Sequence, residues 1–144
     1  MTRSTTPVLP CMCASFRRAS RTITQLYEQA VSPAGLSATQ FTILQTLSLA
    51  GEVTQGELAQ ILAMDSTTLT RTLAIMSRSG WIAKKRGQDR REWRMRLSTA
   101  GKTIFKQALP YWRKAQTQLR RQLGNELSDD LMKLTQQITN TLTD

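Results

Sequence analysis

Histidine is absent from this sequence. That removes the commonest general base and the commonest metal ligand. Acidic residues are few, and the ten Asp and Glu are scattered, with no HExxH or similar spacing. No catalytic constellation, metal site or cofactor is therefore expected. Cysteine is equally scarce: Cys11 and Cys13 are too few for a disulfide framework, which points to a reducing cytoplasm. Long apolar runs are missing as well. Residues 29–51 carry no charge, but Pro33, Gly35 and many Ser, Thr and Gln exclude a membrane span. The opening MTRSTTPVLP lacks the apolar core of a secretory signal.

Positive charge is what the chain has in excess. Twenty Lys and Arg against ten acids give a net +10 and a sequence pI near 10.6. Such an imbalance favours polyanions, meaning nucleic acid or an anionic membrane. At 144 residues and 40% hydrophobic, the chain fits one domain with a real core.

The first ten residues, with Pro7 and Pro10, are expected to be disordered. From Cys11 to about Val31, Phe16, Ala19, Ile23, Tyr27 and Val31 recur every three or four residues and predict a helix. SPAG at 32–35 breaks it. Ser37 then caps a second helix with Phe41, Leu44 and Leu47 inward. Thr54 to Glu57, TQGE, is a capping box for a short third helix whose buried side is Leu58, Ile61 and Leu62. Asp65 or Ser66 caps a fourth, with Leu69, Leu73 and Met76 as its buried stripe and Gly80 beyond its end. Two short helices joined by a tight turn form a helix-turn-helix, whose second member reads DNA. The hydroxyl-rich stretch MDSTTLTRTL, residues 64–73, lies in that second helix, so Thr67, Thr70, Arg71 and Arg78 project outward.

The following segment strengthens the reading. Trp81–Arg86 and the alternating WRMRL of Trp93–Leu97 predict two strands around the hairpin tip GQDRRE. From Lys84 to Arg96 seven cations stand against Asp89 and Glu92. A basic hairpin directly after a helix-turn-helix is a wing, and arginine at its tip suits a narrow minor groove. Ser66, Thr67, Thr68, Thr70 and Arg71 on the helix, with Arg86, Asp89, Arg90 and Arg91 on the wing, are the expected DNA contacts. Arg91 is the expected minor-groove residue, with Asp89 orienting the tip.

Ser98 caps a long helix over roughly 99–123, bearing Phe105, Leu109, Trp112 and Leu119, in which Pro110 should introduce a kink. After Gly124 a last helix places Leu127, Leu131, Leu134, Ile138 and Leu142 on one side. These outer helices carry more apolar surface than one small winged domain can cover, and a two-fold dimer is the commonest solution.

With these residues in view, the chain over about 11–142 resembles the MarR family of bacterial winged-helix regulators. DRREWRMRLSTAG, Asp89–Gly101, is similar to that family's Asp-x-Arg…Leu-Thr/Ser-x-x-Gly wing signature, and TLTRTLAIMSRSGWI, Thr68–Ile82, to its recognition helix and following strand. The resemblance implies a homodimer that binds double-stranded palindromic operator DNA and usually represses transcription. Relief by a small aromatic or phenolic effector, lodged between dimer helices and winged domain, is implied as well. By that analogy Arg17, Arg21, Phe41, Phe105 and Trp112 are the candidate ligand residues. Cys13, Arg21 and Tyr27 also keep the spacing of the family's organic-hydroperoxide sensors, and DSTTLT at 65–70 is nearly their recognition-helix start. Where those sensors carry further tyrosines, this chain has Arg17 and Ala38. The alternative regulator is therefore thiol-based, with Cys13 reacting ahead of Cys11 because it lies at a helix N-terminus near Arg17.

The expected fold is mainly α with a small β-hairpin wing: a winged helix-turn-helix flanked by N- and C-terminal dimerisation helices. Residues 1–10 form a disordered N-terminus, 11–36 the N-terminal dimerisation helix, 37–98 the DNA-binding region and 99–144 the C-terminal dimerisation helices. All belong to one compact domain, cytoplasmic and without membrane contact.

Overall fold

Four hydroxyl or carboxylate side chains punctuate the fold. Ser37, Thr54, Asp65 and Ser98 each stand in extended backbone and accept from the N–H three residues on, at 3.1, 3.1, 2.8 and 3.0 Å. Each satisfies a donor that the first helical turn leaves without a partner. The computed structural model describes residues 5–143. Within them α1 spans Met12–Val31, α2 Ala38–Ala50, β1 Val53–Thr54, α3 Gln55–Leu62 and α4 Ser66–Arg78. Then follow β2 Ile82–Arg86, β3 Trp93–Leu97, α5 Thr99–Leu123 and α6 Asn125–Leu142, with a short 3₁₀ turn at Ser32–Ala34. The architecture is the expected mainly helical one with a small antiparallel sheet.

The core gathers around α2. Ile43, Leu44 and Leu47 are fully enclosed there, against Leu58 of α3, Leu69, Leu73 and Met76 of α4, and Met95 of β3. Burying such side chains stabilises the fold by roughly 1.5–3 kcal/mol each, which makes this cluster the organising centre. The inward stripe read from α4 is the one observed. The α3 stripe needs correcting: Leu58 is enclosed, but Ile61 is 53% exposed. An eight-residue helix has neighbours on one side only, and Leu58 and Leu62, four apart, take that side.

The sheet contains one strand more than the hairpin. Val53 and Thr54 pair antiparallel with Met95 and Arg94, so the order is β1-β3-β2. The strand continues straight into the Thr54 cap of α3 and so fixes the wing against the helix-turn-helix. Helix α5 runs without interruption through Pro110. Residues 5–10 adopt no regular structure, though the Pro7 carbonyl accepts from Arg18 Nη1 and the Leu9 carbonyl from Ser15 Oγ. The rest of the N-terminal segment expected to be disordered, residues 1–4, lies outside the described residues.

The outer helices keep much apolar surface in the open. Phe16 of α1 is 48% exposed, and Leu127, Met132, Leu134, Ile138 and Leu142 of α6 are all exposed. The side of α6 turned inward holds Ser128, Leu131 and Thr135 instead. Among the described residues, no helix is long and apolar enough to cross a membrane.

Candidate nucleic-acid interface

The α3–α4 connection is only three residues, Ala63, Met64 and Asp65. Ala63 takes a left-handed conformation at φ 50°, and its N–H bonds back to α3. Asp65 then opens α4 with both carboxylate oxygens engaged: Oδ2 accepts from the Thr68 hydroxyl at 2.6 Å and Oδ1 from the Thr68 N–H at 2.8 Å. Those bonds, the hydroxyl first, hold the Asp65 carboxyl below its ordinary pKa of 3.8. With Leu69, Leu73 and Met76 turned inward, Ser66, Thr67, Thr70, Arg71 and Arg78 all lie exposed. Thr68 is exposed too, but its hydroxyl proton is committed to Asp65.

On the wing, β2 and β3 pair from Ile82↔Leu97 to Arg86↔Trp93. That last pair puts both side chains on one face, and the Arg86 guanidinium lies 4.9 Å from the Trp93 ring centre. Arg86 Nη1 also donates to the Arg90 carbonyl at 2.8 Å. Arg86, expected as a DNA contact, is exposed and also braces the wing tip through these two contacts. Asp89 shapes the tip as well: its Oδ1 accepts from the Arg91 N–H at 3.0 Å. Arg90 and Arg91 are left exposed at the turn, with no acidic partner among the described residues. Lower down, Glu52 faces Lys85 at 3.2 Å and Arg94 at 3.9 Å and ties the wing base to the loop before β1.

The residues expected to hold a ligand do not close around one cavity. Phe41 is buried and packs against Phe105 and Trp112, with ring centres 5.5 and 5.8 Å apart. Beside Phe41 and Trp112 lies a hollow of about 210 Å³, completed by Tyr27, Ala38, Thr42 and Gln45. Arg17 and Arg21 line neither this hollow nor the larger groove of about 320 Å³ between α1, α5 and α6. Both stand on the exposed side of α1, because the inward side is taken by Ile23, Tyr27 and Val31. Tyr27 borders both spaces; its hydroxyl donates to Gln116 Oε1, and burial raises its pKa above 10.0. Cys11 and Cys13 are exposed, and Cys11 is the N-cap of α1, its Sγ accepting from the Ala14 N–H at 3.5 Å.

Two roles were hidden from sequence reasoning. Nothing local announced that Arg86 would fold onto Trp93, since the strand register brings them together. Nor did the sequence single out Gln55, whose Nε2 donates to Thr70 Oγ1 at 2.8 Å.

Comparison with known proteins agrees with this geometry. The MarR family model matches residues 36–93. An uncharacterised HTH-type transcriptional regulator of Bacillus subtilis, YwoH, is 31% identical over 75 residues, covering 52% of this chain and 55% of that protein. The multiple antibiotic resistance protein MarR of Escherichia coli is 31% identical over 84 residues, 58% of each chain. The matched stretch thus spans little more than half the length of these relatives. Among solved structures, the Mycobacterium tuberculosis transcriptional regulator MosR in complex with DNA is similar at TM-score 0.78 and 34% identity, over 92% of this chain and 98% of that one. A mutant MarR from E. coli complexed with operator DNA superposes at TM-score 0.79 over 88% of this chain and 92% of its own. Its 23% identity carries the likeness of fold alone.

Proposed function

The chain belongs to the MarR family of transcriptional regulators, and from that premise we propose a dimeric, sequence-specific DNA-binding repressor that a small aromatic or phenolic molecule releases. The observation that carries the DNA reading is a pairing of surfaces. The exposed hydroxyls and Arg71 of α4 stand on the same winged unit as the exposed Arg90 and Arg91 of the wing tip. Hydroxyls and arginine at a recognition helix suit phosphates and base edges, while tip arginines suit the minor groove. Ser66, Thr67, Arg71, Arg90 and Arg91 are the proposed contacts. Thr68 and Asp89 act one step back, by holding the helix cap and the wing turn.

The exposed apolar stripe of α6 and the open groove beside Phe16 support a homodimer built from the outer helices. Two-fold symmetry then places two recognition helices on a palindromic site, with half-sites about 10 bp apart. Footprinting of the purified protein on selected DNA tests this. Two protected half-sites and a steep loss of affinity with salt are expected, and a single half-site or equal affinity for scrambled DNA overturns it. For the effector, the hollow at Tyr27, Phe41, Gln45 and Trp112 offers aromatic walls with a phenol and an amide at its rim.

A thiol-based regulator is the second reading, favoured by one observation: both cysteines are exposed, and the Cys11 sulfur caps α1. Oxidation of Cys13, in the first turn of α1, with the Cys11 cap beside it, would perturb the start of a helix of the proposed dimer. Operator binding in the presence of phenolics, organic peroxides and thiol oxidants separates the two. Release by a phenolic in a Cys11→Ser, Cys13→Ser protein favours the ligand reading. Release by peroxide that these substitutions abolish favours the thiol reading.

A further inference from the structure

Gln55 opens α3, outside the recognition helix, yet its side chain reaches onto the face of α4. Its Nε2 donates to Thr70 Oγ1 at 2.8 Å. That oxygen lies 2.7 Å from the Ser66 carbonyl. A carbonyl only accepts, so this contact takes the single proton of the Thr70 hydroxyl. Toward Gln55 the hydroxyl can then only accept, and the amide must turn its NH₂ group to it. The orientation of the amide is thereby set by proton count. Gln55 Oε1 and its second N–H make no other hydrogen bond among the described residues, and the half-buried Gln55 makes its bond to Thr70 at an exposed position.

We propose that Gln55 is a specificity-determining residue whose amide, held by Thr70, reads an adenine in the major groove. The inference rests on the reading above that the α4 face enters that groove. A carbonyl oxygen beside an N–H matches the N6 donor and N7 acceptor of adenine. Guanine presents two acceptors at the same edge, cytosine a donor, and thymine an acceptor with a methyl. A free glutamine must lose much side-chain freedom to make such a bidentate contact. Here the chain from Ser66 carbonyl to Thr70 hydroxyl to Gln55 amide orders it beforehand. Thr70, expected from sequence to touch DNA itself, becomes a positioning residue for Gln55.

The test compares base preferences of the full-length protein selected on randomised DNA. Gln55→Ala should lose an A·T preference of about tenfold or more at one base pair per half-site, with the other positions unchanged. Gln55→Glu, which can no longer donate to Thr70 or to adenine N7, should lose the A·T preference at that same pair, and any preference left there should be for C·G, whose cytosine N4 donates to a carboxylate. Thr70→Val should weaken the preference at that pair and no other, with unfolding temperatures of all three variants near the wild type. A uniform loss of affinity across sequences in Gln55→Ala marks a phosphate contact and overturns the proposal. So does an unchanged preference in all three variants. A wild-type protein with no base preference anywhere overturns the DNA-reading proposal itself, which keeps the two failures apart.

Discussion

Gly101, in the first turn of α5, is pressed against the backbone carbonyl of Trp81, at the entrance to β2, so closely that a Cβ there would overlap it. Ser98 completes the joint: its N–H donates to the Trp81 carbonyl at 3.0 Å, its hydroxyl donates to the Gly80 carbonyl at 2.5 Å, and its Oγ accepts from the Gly101 N–H at 3.0 Å. The Leu97-Ser98-x-x-Gly101 pattern is thus the fastening between wing and long helix.

Gly101→Ala should therefore destabilise the protein by at least about 1–3 kcal/mol, because the backbone of α5 or of the β2 entrance must shift. Urea unfolding checks this. A midpoint equal to wild type would show that the joint is looser than the geometry says.

Ala63 has the opposite expectation. It is the one described residue other than glycine with a positive φ, and left-handed backbone is unfavourable for a side chain. Ala63→Gly relieves that conformation, against a greater loss of chain entropy on folding. A net gain of about 0.5–1 kcal/mol is expected in thermal unfolding, with DNA affinity unchanged.

The Asp65 cap predicts an acid-side effect. Its hydrogen bonds from Thr68 lower the folded-state pKa below the ordinary 3.8. Its contribution to stability is then complete above that ordinary value and lost as pH falls through the lower folded value. Asp65→Asn keeps a capping oxygen without the titration. Its unfolding temperature should fall less steeply with acid than that of the wild type, and parallel curves would count against the cap.

Wing arginines should separate by role. Arg91→Ala should keep the fold and cost about 1–3 kcal/mol of operator affinity in a salt-matched titration. Arg86→Ala, which removes the hold on Trp93 and the Arg90 carbonyl, should weaken operator binding by loosening the tip. A double-mutant cycle checks the difference: the two effects should be strongly non-additive, because Arg86 acts through the turn that presents Arg91. Additive losses would make Arg86 an independent contact.

How much of this was legible in the sequence depends on the range of the interaction concerned. Helix caps act over three residues, so Ser37, Thr54 and Ser98 announced their helices directly, while for α4 the sequence left Asp65 or Ser66 and the structure has Asp65. The α4 stripe and the β2–β3 hairpin were legible for the same reason, since periodicity and a turn are local. The charge excess follows from composition, which leaves nucleic acid and an anionic membrane open, and the nucleic-acid reading comes from the local patterns of helix-turn-helix and basic hairpin. Strand β1 was not legible, because two residues have no periodicity and Val53 pairs with Met95 far along the chain. Nor was the outward Ile61, whose side is chosen by what packs against α3 rather than by its own pattern. The expected ligand set divided in two: Phe41, Phe105 and Trp112 came together, while Arg17 and Arg21 stayed on the open side of α1. Tertiary structure alone decided which polar groups are free and which are engaged. Thr70 bonded to Gln55 and Arg86 over Trp93 depend on how an amide or a guanidinium finds its nearest partner once the chain has folded.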